Sequence, residues 1–250
     1  MLIKAPLLED VFGVSPRNIL HLGAHLGEES VAYSKMGWDE VTWIEANPNL
    51  IDGLKASVPF GQRVVQAAIH EVGGIPLQLN LANASQSSSL LEFGAHAVHY
   101  PEISFVETIT VITRRVDEIF TDSFNFDFLN LDIQGSELSA LKSMGVKINS
   151  LKWIYVEVNR KELYVGCPHV SEIDSYLASF GFRRKATKWY RGGPWGDALY
   201  VKGQLNLSLF KKIKYVYNFP ILDFLLWLPY RGLALRRATK NIFRKFKGRD

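Results

Sequence analysis

Residues 18–30 read NILHLGAHLGEES: a short apolar run, a turn of glycine and histidine, then an acidic helix start. A strand that passes through such a turn into a helix is the opening unit of a parallel α/β sheet. The turn is also where that architecture holds ligands. Reading outward, the pattern recurs. Residues 28–36 are helix-like and stop at Gly37; residues 40–46 (EVTWIEA) form a second strand, with Pro48 placed to start a helix. Residues 63–69 (RVVQAAI) read as a third strand and residues 75–80 (IPLQLN) as an added edge strand, before a long polar loop over residues 82–104. Residues 107–113 (ETITVIT) are strand-like, and residues 126–133 (FDFLNLDI) are an almost continuous apolar run that ends in a carboxylate.

A helix over residues 135–145, a buried strand over residues 151–158 (LKWIYVEV) and a helix over residues 171–182 follow. Residues 182–202 then read as a hairpin turning at RGGPWG. Apolar strands alternating with helices imply a sheet covered on both faces. The expected fold class is therefore α/β: a Rossmann-like, doubly wound, mostly parallel sheet with a closing antiparallel hairpin at one edge.

The totals set bounds. A chain of 250 residues suits one domain with an appendage. Cys167 is the single cysteine, which excludes an internal disulfide and a Cys-rich zinc site and points to a reducing, cytoplasmic setting. The start of the chain, MLIKAPLLEDVFG, carries no signal-peptide pattern. The net charge of +4 hides a split: residues 204–250 hold 11 Lys or Arg against 2 acids, and the rest holds 18 against 23. Two units are expected, a catalytic domain over residues 1–203 and a basic, aromatic-rich tail over residues 204–250.

The opening turn separates ligand classes. The dinucleotide fingerprint needs a second glycine so that the backbone can approach a pyrophosphate. Here His25 stands in that place, and Glu28 and Glu29 at the helix start repel phosphate. Glu45 closes the second strand 22 residues after Gly23, where an acid accepts hydrogen bonds from ribose hydroxyls. A cationic nucleoside, S-adenosyl-L-methionine, fits this combination. An NAD-type oxidoreductase or nucleotide-sugar binder and a non-catalytic cofactor-binding module are the rival readings. His21 and His25 are four apart across a turn, with no third ligand at a readable spacing, so no metal site is expected.

The motifs HLGAHLGEE, WIEANP, QSSSLLEFGAH with YPEI, FDFLNLDIQGSELSALK, EVNRKELYVGC and WGDALYVK, in this order, resemble FkbM-type methyltransferases over residues 18–202. Arg115 departs from the leucine that similar sequences carry there. The resemblance implies a class I fold, S-adenosyl-L-methionine as donor, and methyl transfer to a hydroxyl of a sugar or another natural product. By position, Gly23, Ala24, His25 and Gly27, with Glu28, would cradle the methionine end. Glu45 would hold the ribose, Ala46, Asn47 and Ala68 would border the adenine, and Asp132 would face the donor.

A sugar hydroxyl is a weak nucleophile, and a positioned base adds about 10²–10⁴-fold. The candidates are His96, in the loop expected to cover the sheet edge, and Asp132 and Glu157, which end neighbouring strands. Ser88, Gln134 and Asn159 are candidate contacts to the acceptor; Glu137 either lies near the site or serves the helix dipole. In the tail, residues 215–230 are apolar but too short to span a bilayer. Farther on, Leu235, Ala238, Ile242 and Phe246 share one helical face among Arg236, Arg237, Lys240 and Arg244. That pattern suits peripheral contact with anionic lipid through residues 215–249 on the cytoplasmic membrane face. Packing on the body or on a second copy in a homo-oligomer is the alternative, and nucleic acid is disfavoured by the acidic body.

Overall fold

The computed structural model describes residues 1–121 and 124–203. The expectations for the tail lie outside the described residues. The main sheet has seven strands: β1 (Ile19–Leu22), β2 (Val41–Glu45), β3 (Arg63–Gln66), β7 (Phe128–Leu131), β8 (Trp153–Asn159), β9 (Phe182–Trp189) and β10 (Trp195–Lys202). Their spatial order is β3-β2-β1-β7-β8-β10-β9. The first five are parallel. Strands β1, β2 and β7 are buried along their whole length, as continuous apolar runs in a covered sheet should be.

Three helices pack in the crossovers: α2 (Ser30–Lys35), α3 (Ile51–Ser57) and α6 (Glu137–Ser143). Before the sheet stands α1 (Ala5–Phe12), and α7 (Val170–Ser179) precedes the hairpin. The main core joins Leu20, Leu22, Leu129, Leu131, Ile154 and Val156 of the sheet to Ala140, Leu141, Ile173 and Leu177 of α6 and α7. The mostly parallel, doubly wound architecture agrees with the expectation.

Several details refine or correct it. The antiparallel hairpin closes the sheet at one edge, as expected, and the structure adds its order. β10 runs antiparallel to both β8 and β9 and lies between them, so β9 forms the edge. The stretch RVVQAAI is not one strand: it breaks at Ala67, and Ala68–Ile69 (β4) leaves for a second sheet. There β4 joins β5 (Pro76–Ala82) and β6 (Phe105–Arg114) in the order β4-β6-β5. IPLQLN is therefore no edge strand of the main sheet. The cause is visible in its burial, since Leu79 and Leu81 pack with Ala68 and Val111 into a separate apolar cluster, against Ala46 and Leu90.

The long polar loop contains a 3₁₀ turn at Ser85–Ser87 and the short helix α4 (His96–His99), and α5 (Val116–Ile119) follows β6. Helix α1 buries Ala5, Leu8, Val11 and Phe12 on one face. It is ended by Gly13 at φ +66°, a left-handed cap.

Candidate functional site

The strand order reverses between β1 and β7, and the loops beyond their carboxyl ends meet there. Gly23 is the closest point of contact. Its φ is +80°, and a Cβ on it would stand 1.7 Å from the backbone oxygen of Asp132, so only glycine lets the two loops touch. Its amide and that of Ala24 donate to Ile44 O at 2.9 and 3.0 Å. His25 takes the left-handed conformation at φ +47°, which directs its amide to Glu45 Oε2 at 2.8 Å. Asn47 N donates to Glu45 Oε1, also at 2.8 Å. One buried carboxylate thus brackets the first turn and the loop after β2. Burial raises the Glu45 pKa, and the two amides oppose that rise.

Two cavities flank this junction and share Gly23, His25, Gln86, Asp132 and Gln134 as walls. The smaller, about 70 Å³, lies beside Glu45, Ala46, Asn47 and Ala68. The second sheet supplies its far side through Leu79 and the segment Ser88 to Leu90. The larger, about 370 Å³, extends over the ends of β7, β8 and β10. A latch closes the ridge between them. The His25 ring lies 2.5 Å from Glu28 Oε1 through Nδ1 and 2.7 Å from Ser85 Oγ through Nε2. Gln86 Nε2 donates to the same Glu28 oxygen at 3.2 Å.

Carboxylates dominate the larger cavity. Asp132 is open to it, while Glu157 and Asp197 are buried in its floor. Although Asp132 is exposed at the cavity mouth, the protein packed around its carboxyl, and after it the Asp197 charge, pushes its pKa up to about 6. Burial and the charges of Asp132, Glu137 and Asp197 hold Glu157 well above the usual carboxylate range.

Gln134, at φ +53°, ties the group together. Its Nε2 donates to Asp132 Oδ1 at 2.5 Å and to Glu157 Oε2 at 3.3 Å, and its Oε1 accepts from Tyr164 at 2.6 Å. Ser89 holds the backbone oxygen of Gln134 at 2.6 Å. Glu137 has no access to either cavity. It is fully buried and accepts from Ile133 N and Gly135 N at 3.2 and 3.0 Å, shaping the loop that carries Gln134. Burial raises its pKa to about 7.

His96 lines the larger cavity as a mostly buried ring, stacked on Phe93 at 4.1 Å and flanked by Tyr100 and Tyr164. Burial lowers its pKa, which keeps it neutral and able to accept a proton or a hydrogen bond. His21 also faces this cavity; burial lowers its pKa to about 4, and it packs on Trp43 at 4.8 Å.

The structure redistributes four of the candidate residues. Ala24 and Gly27 line neither cavity: Ala24 is buried, and the space beside Gly27 is filled by Val58, Leu54 and Ser57. Ser88 belongs to the smaller cavity, where its Oγ accepts from Ala82 N at 3.1 Å. Asn159, 1% exposed, lines neither. Among the wall residues that escaped the sequence reading are Asp197, Tyr155 and Trp195. Asp197 stands directly opposite Glu157 in the β8–β10 register and accepts from the Tyr155 hydroxyl. The signal was the acid opening DALYVK, but only the register shows which acid it faces.

Comparison with known proteins bears on this geometry. The Methyltransferase FkbM domain family matches residues 21–184. No curated protein matches the chain. Among solved structures, magnesium protoporphyrin IX methyltransferase from Synechocystis PCC 6803, bound to S-adenosylmethionine, is similar at 12% identity. It covers 81% of this chain and 77% of its own, with a TM-score of 0.45. Ribosomal protein L11 methylase from Lactobacillus delbrueckii subsp. bulgaricus is 11% identical, covering 81% and 78%, also at 0.45. A protein of the NADB-Rossmann superfamily from Streptococcus agalactiae is 12% identical, covering 97% and 84%, at 0.43. These distant likenesses carry no functional argument; the family match does. The chain belongs to the FkbM methyltransferase family and takes S-adenosyl-L-methionine as its cofactor.

Proposed function

We propose that the protein methylates a hydroxyl oxygen of a sugar or glycan, with Asp132 as the proton acceptor. The cofactor fits the residues present. Gly23 and Asp132 meet at the junction and line both cavities, and Glu45 lies in the smaller one. Glu45, Asn47 and Ala68 would hold the adenosine portion; Gly23, His25 and Asp132 would hold the methionine portion. When bound, the cofactor supplies a methyl carbon activated by a sulfonium.

The chain's own residues do the rest. The larger cavity orients the acceptor, and good orientation can supply roughly 7–11 kcal/mol of barrier reduction. Asp132 receives the hydroxyl proton, since a carboxylate with a pKa near 6 is mostly ionised at neutral pH yet basic enough to accept it. Gln134 keeps the Asp132 and Glu157 carboxyls at a fixed separation. The Ser85–Ser87 turn, latched on His25, limits water at the junction.

The observation that supports a sugar acceptor is the makeup of the larger cavity. Carboxyl groups that accept hydrogen bonds from hydroxyls share it with an aromatic wall of Tyr100, Tyr190 and Trp195 that can cover the C–H face of a ring. The test is incubation with labelled S-adenosylmethionine and a glycan fraction, followed by mass spectrometry. An O-methylated sugar is expected; label confined to protein, nucleic acid or nitrogen atoms would reject the reading. We also propose that the basic tail, residues 204–250, brings the enzyme to anionic lipid at the cytoplasmic membrane face. The pattern of Leu235, Ala238, Ile242 and Phe246 among basic side chains supports this.

A further inference from the structure

The larger cavity has an unusual charge balance. Glu28, Glu29, Asp132, Glu157 and Asp197 line it; among the described residues no lysine or arginine side chain does, and the five acids outnumber the Met1 ammonium, which pairs with Glu29 Oε1 at 2.8 Å. Glu29 pairs with the Met1 ammonium and Glu28 with the His25 ring, but the three acids at the strand ends are held by dipoles. Gln134 serves Asp132 and Glu157, while the Tyr155 hydroxyl and Leu2 N serve Asp197. Two of the three histidines in the wall, His21 and His96, are kept uncharged by burial.

The three floor carboxyls also repel each other. Asp197 raises the pKa of Asp132, and both raise that of Glu157. Glu157 and Asp197 sit directly opposite one another on neighbouring antiparallel strands, so ionising both would place like charges in one cross-strand pair. Glu157, 4% exposed, leaves its Oε1 without a hydrogen-bond partner among the described residues. The same cavity is lined by the stacked rings of Tyr190 and Trp195, 4.6 Å apart, with Trp195 Nε1 donating to Tyr100 Oη at 2.9 Å. Aromatic faces attract cations and C–H groups and repel anions. Sites that take carboxylated or phosphorylated ligands supply arginine forks or lysines instead.

We propose that this cavity selects its acceptor by charge: the hydroxyl-bearing unit that enters is a neutral or cationic polyol, and units carrying a carboxylate, sulfate or phosphate are rejected. The inference rests on the hydroxyl-methylation reading above and narrows its substrate class. The transfer itself stays balanced. The acceptor oxygen forms the new C–O bond, the C–S bond breaks with its electron pair going to sulfur, and the hydroxyl proton goes to Asp132.

The test offers the full chain three oligosaccharide fractions of one glycan hydrolysate, sorted as neutral, amine-bearing and uronate- or phosphate-bearing, with labelled S-adenosylmethionine. At about pH 8, label in the first two fractions should exceed label in the acidic one by about tenfold or more, because like-charge juxtaposition strongly suppresses wrong partners. Near pH 5.5, as Asp132 takes up a proton, the acidic share should rise severalfold, although total turnover falls. Asp197→Asn, which retains a side-chain oxygen for Tyr155 and Leu2, should raise the acidic share severalfold at either pH.

Label entering the acidic fraction as readily as the neutral one would overturn the charge selection and leave hydroxyl methylation intact. An acidic share that responds neither to pH nor to Asp197→Asn would overturn it as well, and the wild-type pH comparison still decides if the variant does not fold. Label in no fraction, with S-adenosylhomocysteine still bound, would remove the hydroxyl reading and the selection together.

Discussion

Gly23 and Asp132 define the site at the scale of single residues. The Gly23 contact leaves no room for a methyl group, and its φ of +80° is unfavourable for any L side chain. Gly23→Ala should therefore destabilise the protein by about 2 kcal/mol or more and weaken cofactor binding, read by thermal unfolding and calorimetry. An unchanged melting temperature would contradict the close approach. For Asp132, a base must be ionised to work. With its pKa raised to about 6, kcat/KM should fall as pH drops through about 6 and level off above it. Asp132→Asn should lower kcat by about 10²–10⁴-fold, measured at saturating cofactor. A flat profile between pH 5 and 8 would place the base elsewhere, with His96 next in line.

At the scale of elements, the loop between β7 and α6 shows how a buried acid shapes a site it does not enter. Glu137 holds the amides of Ile133 and Gly135 and so fixes the turn that aims Gln134 at the carboxyls. Its folded-state pKa, about 7, lies above the ordinary value of 4.5. The folded protein then binds this proton more tightly than the unfolded chain. The stability it contributes is full below about pH 4.5 and is lost as pH rises through about 7. Glu137→Gln should flatten that decline, measured by denaturant unfolding from about pH 5 to 8; an unaltered slope would mean the carboxyl is not protonated as described.

The same elements show what the sequence made legible. Strands β1, β2, β7 and β8 were readable because a strand buried on both faces is apolar throughout, and the turn with Glu45 followed from their order. The break at Ala67 was not readable: RVVQAAI has no turn residue, and the chain leaves the main sheet because Leu79, Leu81 and Val111 offer Ala68 a second core. Nor was the pairing of Asp197 with Glu157, since register depends on how the hairpin inserts. Gly27 shows why such readings are ambiguous: it packs against Leu54, Ser57 and Val58, and a glycine needed for packing looks in sequence like one needed for a ligand.

At the scale of the whole molecule, the acidic catalytic unit and the basic tail divide the charge of the chain between them. Among the described residues no helix is long and apolar enough to cross a membrane. The proposed lipid contact therefore rests on residues 204–250, and the full chain should sediment with vesicles rich in anionic lipid while a chain ending at Gly203 should not. Equal sedimentation of both would refute it. The central claim concerns the junction between the two cavities, where Glu45 and the Gly23 turn hold an adenosyl cofactor and not a diphosphate. Calorimetric titration with S-adenosylhomocysteine and, separately, with NAD tests it most directly. The account predicts binding of S-adenosylhomocysteine, weakened about tenfold or more in Glu45→Gln, and no binding of NAD. Saturable binding of NAD with none of S-adenosylhomocysteine would contradict it.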